Sequence, residues 1–232
     1  MAKEADEKNT KKPSLNKIIV FDLETTGLPE VGEIIEIGAI KYCKKHGQKK
    51  YKILNIFSER IKPQTNFWSP MAAKTHNIKK EQLQNCRIID QVLLDFLKFL
   101  EEDYVVVGHR VGFDCVFIRK FCEICKFPIP KNIVLDTYKI AINVYELDKK
   151  LAKLNFKDTY EVHLSDLMKH FRVTYTLGNK HRAYIDAYTT AQIFFKMKNG
   201  YKISELTPMA FDTIKFEMLQ SLLKENKQDE KK

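Results

Sequence analysis

Apolar positions follow two regimes along the chain. In the first, β-branched residues run nearly unbroken or alternate, which predicts strands over Lys17 to Glu24, Glu33 to Cys43 and Tyr51 to Lys62. The turn-forming Thr25-Thr-Gly-Leu-Pro29 closes the first strand, and Gly47 lies between the second and third, so an antiparallel meander is expected. Beyond it the period lengthens. Ile88, Ile89, Val92, Leu93, Phe96, Leu97 and Leu100 recur at helical spacing, followed by a short strand at Tyr104 to Val107, a helix from about Phe113 to Cys125 and a strand at Ile133 to Asp136. Further helices are predicted over Thr137 to Leu147, Leu164 to Phe171 with Ser165 as cap, Ala183 to Lys198, and Ser204 to about Lys224 with Pro208 near its start. A meander followed by alternating helices and strands implies one α/β domain, with helices on the faces of a mixed sheet.

With 44% hydrophobic and 11% aromatic residues in 232, the chain has material for a sizeable core. No apolar stretch approaches the length of a membrane span, and the N-terminus lacks a secretory pattern, so a cytoplasmic protein is expected. Five irregularly spaced cysteines do not form a disulfide framework. Residues 1–16 and 225–232 are polar extensions. Residues 17–200 form the domain, and 201–224 a helical segment that packs on it or docks a partner.

The net charge of +10 favours a polyanion. Much of it is concentrated in Lys41, Lys44, Lys45, Lys49, Lys50 and Lys52, with no acid between them. Nucleic-acid backbone contact through Lys44, Lys45, Lys49 and Lys50 is weighed against a plain solvated turn whose charges discourage edge pairing.

Three polar segments carry candidate chemistry. Asp22 and Glu24 stand two apart at the end of an apolar strand, on one face, where two carboxylates can share a hard cation. The segment Gly108-His109-Arg110-Val111-Gly112-Phe113-Asp114 runs from a strand through a glycine-flanked turn and places Asp114 on a first helical turn. His181 closes a polar stretch, and Asp186 follows about one turn into the next helix. Singly, each has a bland explanation as a solvated strand end, a helix cap or an exposed histidine.

In this order, Asp22-Leu-Glu24-Thr-Thr-Gly, Gly-His-x-x-x-Phe-Asp114 and His181-x-x-x-x-Asp186 resemble the DEDDh 3′–5′ exonucleases, the family of the DNA polymerase III epsilon subunit and ribonuclease T. The resemblance extends through Glu33-Ile-Ile-Glu-Ile-Gly-Ala-Ile, Pro70-Met-Ala-Ala-Lys-Thr-His76, Leu135-Asp136-Thr137 and Leu164-Ser-Asp-Leu, over roughly residues 17 to 198. It implies a ribonuclease H-like fold with a mixed five-stranded sheet, release of nucleoside 5′-monophosphates from DNA 3′ ends, and work alone or as a polymerase's proofreading partner. It further implies two Mg²⁺ or Mn²⁺ ions on Asp22, Glu24, Asp114 and Asp186, with Asp22 bridging, and His181 as general base. Four converging carboxylates need such cations, because like charges raise one another's pKa. The tyrosine-base subgroup would carry its tyrosine at position 182, which is Arg182 here.

Thr25, Thr26, Gly27 and Leu28 resemble the pocket for the 3′-terminal nucleotide, and His109, Arg110 and Phe113 flank the substrate path. Arg110 departs from the family's usual Asn. Two rivals stay open, an exoribonuclease that trims RNA 3′ ends and a catalytically silent module that holds nucleic acid or a polymerase. Cys122-x-x-Cys125 lies within a helix with no second pair at zinc spacing, so structural thiols are expected. Phe67 and Trp68 either stack on a base or pack inward, and His76 supports its loop.

Overall fold

The computed structural model describes residues 14–45, 47–155, 160–175, 182–199 and 201–215. Strand β1 (Lys17–Thr25) pairs antiparallel with β2 (Ile34–Cys43), which pairs antiparallel with β3 (Lys52–Arg60). After helices α1 (Pro70–His76) and α2 (Ile89–Phe99), β4 (Val105–Gly108) lies parallel to β1, and after α3 (Gly112–Cys125), β5 (Ile133–Asp136) lies parallel to β4. Helices α4 (Thr137–Asn143), α5 (Leu147–Leu154), α6 (Leu164–Phe171) and α7 (Ala183–Met197) follow. A two-residue strand β6 (Met209–Ala210) pairs antiparallel with β5 and gives the order β3-β2-β1-β4-β5-β6. Among the described residues no helix is long and apolar enough to cross a membrane.

The near-continuous apolarity of β1 follows from burial on both sides. Ile19, Phe21 and Leu23 pack with Val92, Phe96 and Phe117 of α2 and α3 on one face. Ile18 and Val20 pack with Ala187, Ala191 and Phe194 of α7 on the other. Strand alternation therefore assigns Asp22 and Glu24 to the α7 face, at the carboxyl end of β1. The other two parallel strands, β4 and β5, deliver His109 and Asp136 to the same end. In open α/β sheets this edge is where ligands bind.

Helix α7 approaches β2 over Gly38, the partner of Asp22 in the β1–β2 ladder. A Cβ on Gly38 would lie 2.0 Å from the Tyr184 backbone nitrogen and 2.3 Å from the Ala183 carbonyl carbon, so only glycine admits the helix there. Next along the same face, Glu36, itself paired with Glu24, accepts from Arg182 Nε at 2.9 Å and from the Ala183 N–H at 2.9 Å. Glu36 is only 1% exposed, and Arg60 adds a weaker contact at 3.4 Å. The buried carboxylate thus satisfies a free N–H at the start of α7, where a negative charge also meets the positive end of the helix dipole.

Several expectations are revised. The sheet has six strands rather than five, because Met209–Ala210 adds an edge too short to be periodic in sequence. The helix expected over Thr137 to Leu147 stops at Asn143, and α5, not expected from the sequence, starts at Leu147 after Glu146 takes a left-handed backbone (φ 51°). Helix α6 is capped by His163, not by Ser165: the His163 N–H donates to Asp166 Oδ2 at 3.0 Å, leaving Ser165 inside the first turn. The helix from Ser204 is replaced, as far as residue 215, by a 3-10 turn at Ile203–Glu205, β6 and a second 3-10 turn at Phe211–Thr213. Phe211 and Ile214 are buried against the α2–α3 face, an anchor that accounts for their apolar spacing without a helix. Residues 216–224 lie outside the described residues.

The seat of α7 gives a direct test. Gly38→Ala should destabilise the domain by roughly 1–3 kcal/mol, the usual cost of overpacking, read as a fall in melting temperature of about 2–4 °C per kcal/mol for a domain of this size. An unchanged melting curve would show that α7 does not rest on this glycine.

Candidate active site

Asp22 and Glu24 reach the cleft from β1, and Asp186 reaches it from the first turn of α7. The three offer carboxylate oxygens that all lie within 4.8 Å of one another. Glu24 and Asp186 are buried, and Asp22 keeps partial exposure. Arg182 lowers the Glu24 pKa, and its guanidinium is engaged by Glu36.

Asp114 stands beside the trio and not within it. It is 5% exposed on the first turn of α3, and its Oδ1 accepts from the Leu23 N–H at 3.0 Å, between the two β1 carboxylates. That bond holds Asp114 to the strand end, and its charge adds to the repulsion felt by Asp22. The predicted four-carboxylate set is thus assembled at one place, with three oxygens in mutual reach and the fourth carboxylate turned to the backbone. His181 lies outside the described residues.

The electrostatics follow from that crowding. Desolvation, then the charges of Asp114, Asp186 and Glu24, raise the Asp22 carboxyl well above its ordinary range. Glu24 is pushed up to about 8 by desolvation and then by Asp186, Glu36 and Asp114. Asp114 is likewise raised, chiefly by burial. Hard oxygen donors in this number and spacing suit Mg²⁺ or Mn²⁺ better than a soft-ligand metal, so the residues present fit the cofactor that the sequence implies.

A supporting layer surrounds the carboxylates. Tyr175 donates its hydroxyl to Asp186 Oδ1 at 3.2 Å, a contact with no sequence signature because it joins a loop to a helix eleven residues away. Asp136, buried at the end of β5, accepts from the Arg110 and Tyr138 N–H groups at 2.8 and 2.9 Å and so shapes the turn after β4. His109 Nδ1 lies 3.0 Å from Thr137 Oγ1, and burial lowers its pKa to about 3, which keeps the ring neutral. Arg110, at φ 55°, pairs its guanidinium with Glu161 and lies over the Tyr138 ring at 4.6 Å.

The turn after β1 is held in place by its own atoms. Thr25 Oγ1 donates to the Gly27 carbonyl at 2.9 Å, and Thr26 Oγ1 accepts from the Glu33 N–H at 2.9 Å. Gly27 lets Phe67 lie against the turn: a Cβ there would stand 2.6 Å from Phe67 Cε1. Phe67 remains 40% exposed beside this turn, as does Leu28 at 48%, whereas Trp68 packs inward near Ile35 and Ile78. Phe113 is partly buried against Phe117. His76 accepts from the Ile78 N–H through Nδ1 at 2.9 Å, consistent with loop support.

The lysine cluster is smaller than its sequence suggests and sits elsewhere. Lys41 is buried, paired with Glu101 at 2.6 Å and lying over the Phe99 and Tyr104 rings, so it contributes no surface charge. Lys44, Lys45, Lys49 and Lys50 flank the β2–β3 connection, at the Lys17 end of β1 and opposite its carboxylate end. Cys122 is buried and Cys125 half-buried in α3, both free thiols.

The raised carboxylates set a pH dependence. Glu24 holds its proton in the folded metal-free protein up to about pH 8, well above its ordinary value of 4.5, so its stabilising contribution is fully present below 4.5 and is lost as pH rises through about 8. Metal-free protein should therefore melt at a lower temperature at pH 8.5 than at pH 6, and Glu24→Gln should flatten that slope. A slope identical in the variant would remove Glu24 as its source.

Comparisons with known proteins agree with this architecture. An exonuclease family model, RNase_T, matches residues 19–194. The DNA polymerase III subunit epsilon of Treponema pallidum is 30% identical over 178 residues, covering 76% of this chain and 74% of the relative. The PolC-type DNA polymerase III of Caldanaerobacter subterraneus is 35% identical over 182 residues, 78% of this chain. The chain spans only 11% of that polymerase's length. Among solved structures, the nuclease domain of 3′hExo, described as a DEDDh family member bound to rAMP, aligns over 85% of this chain and 98% of its own, with a TM-score of 0.65 at 19% identity. Exonuclease X in complex with 5′-overhanging duplex DNA aligns over 82% and 96%, with a TM-score of 0.57 at 21% identity. These establish a ribonuclease H-like fold, and the chain belongs to the RNase_T exonuclease family.

Proposed function

We propose that the protein is a metal-dependent 3′–5′ exonuclease that releases nucleoside 5′-monophosphates from DNA 3′ ends. The observation that carries this is the convergence of Asp22, Glu24 and Asp186 within 4.8 Å, with Asp114 bonded to the strand between the first two. Such crowding costs stability unless a cation joins it, so a purely structural role for the trio has no physical return.

Asp22, Glu24, Asp186 and Asp114 would hold two divalent cations. When bound, such cations lower the pKa of a water and stabilise charge on the scissile phosphate. The protein's own part is positioning. The turn at Thr25 to Leu28 receives the terminal nucleotide, with Phe67 and Leu28 offering exposed apolar surface to a base and sugar. His181, five residues before Asp186, takes the proton of the attacking water as general base. Neutral His109 and the Arg110–Glu161 pair border the cleft, where Arg110 is held by its ion pair and by Tyr138. The similarity to epsilon and PolC-type chains supports a proofreading setting, with independent action as the alternative.

Three outcomes check this proposal. Purified protein with Mg²⁺ should release mononucleotides from the 3′ end of labelled single-stranded DNA; equal or faster digestion of a matched RNA would instead favour the exoribonuclease, and release from neither the silent binding module. Asp22→Asn should lower the rate by at least ~10³-fold, since several kcal/mol of charge stabilisation is lost. His181→Ala should lower it by about 10²–10⁴-fold, with metal affinity retained. Substantial hydrolysis by Asp22→Asn would contradict the assignment of the site.

A further inference from the structure

A second feature lies at the other end of α7. A pocket of about 380 Å³ is lined by Tyr42, Lys49, Lys50, Tyr51, Phe195 and Lys198, among others, and no carboxylate is among its lining residues. Tyr51 stacks on Phe195 with centroids 4.3 Å apart and planes 10° from parallel, and Phe195 meets Tyr42 edge-on at 5.0 Å. Lys44 and Lys198 lie over the Tyr51 ring at 5.6 and 5.0 Å. Tyr42 is 2% exposed, yet its hydroxyl is buried with no hydrogen-bond partner among the described residues. A buried hydroxyl left unpaired is destabilising, a cost that a bound ligand can recover. Burial and the neighbouring Lys44 also push the Lys198 ammonium below its ordinary range, a strain that an anion relieves.

These features select an anion, and the pocket's distance from the carboxylates fixes how it can be used. Tyr42 stands four residues beyond Gly38 on β2, and Phe195 nine residues beyond Asp186 on α7. The strand gives ~13 Å at 3.3 Å per residue, and the helix gives about the same at 1.5 Å per residue. At roughly 3.4 Å per stacked step, that is about four nucleotides.

We propose that this pocket is a second contact for the bound nucleic-acid strand, taking a backbone phosphate among Lys49, Lys50 and Lys198 with the Tyr42 hydroxyl as a neutral donor. It rests on the nuclease assignment, and it adds a length preference: strands that reach both sites bind more tightly than strands that reach only the carboxylates. Of the lysines at the β2–β3 connection, Lys49 and Lys50 would then bind substrate, whereas Lys44 mainly holds Tyr51.

The test uses fluorescence anisotropy in an Asp22→Asn background, with a labelled trinucleotide and a labelled fifteen-nucleotide single strand of DNA. Adding Lys49→Gln, Lys50→Gln and Lys198→Gln together should weaken binding of the long strand about tenfold. It should also reduce the salt slope by about 0.7, the value for one phosphate contact on a single strand, and leave trinucleotide binding unaltered. Tyr42→Phe, which keeps the packing, should weaken the long strand two- to threefold. Unchanged affinity and slope for the long strand would overturn the pocket while leaving the nuclease assignment intact. Loss of binding to both strands equally would also overturn it, by showing general damage. Competition by polyglutamate as strong as by unlabelled oligonucleotide would make an acidic protein segment the occupant instead. If the parent protein binds neither strand and wild type digests none, both proposals fail together.

Discussion

The first turn of α7 rests on bare backbone at Gly38, and the acidic cleft depends on that contact. Asp186 meets Asp22 and Glu24 only because the helix can come within van der Waals distance of β2 at the rung opposite Asp22. Glu36, one pleat further along, holds Arg182 and the Ala183 N–H and so fixes both the height and the direction of the helix start. The same carboxylate adds to the negative field on Asp22 and Glu24. Repulsion in the cleft is therefore held in check by packing and by an ion pair that lie just outside it.

This arrangement links the sheet's connectivity to its chemistry. Three parallel strands end at one edge, and each delivers a polar group there: the β1 carboxylates, the turn after β4 that leads to Asp114, and Asp136 after β5, which braces that turn through the Arg110 N–H. Two apolar faces, one under α2 and α3 and one under α4 to α7, make the sheet rigid enough to keep like charges close. Removal of any one carboxylate should relieve repulsion and remove a cation ligand at the same time, so stability and activity are expected to move in opposite directions at these positions.

The strand and helix periods located β1 to β5, α2, α3, α6 and α7 to within a residue or two, whereas α1 and α5 are not expected as helices from the sequence. What they missed has local causes. Strand β6 is too short for a period to show, and Phe211 and Ile214 earn their apolar character as anchors in the α2–α3 core, not as a helix face. The start of α5 turns on one left-handed residue, Glu146, which no propensity marks. Lys41 read as surface charge because spacing cannot show that it pairs with Glu101 and lies over two rings. In the cleft, Asp22, Glu24, Asp114 and Asp186 were legible as motifs, and the structure brings them to one place. Glu36 carries a signal of its own, a charged residue set among the apolar residues of a buried strand. Tyr175 had none, since its partner lies across a loop.

If the seat of α7 creates a cation site from carboxylates that would otherwise repel, the most direct measurement is a Mn²⁺ titration followed by calorimetry on wild type and Asp186→Asn. Saturable binding in wild type, weakened at least ~10-fold in the variant, an affinity change of about 1.4 kcal/mol, is the predicted result. Equal binding by the two proteins, or none by wild type, would contradict it.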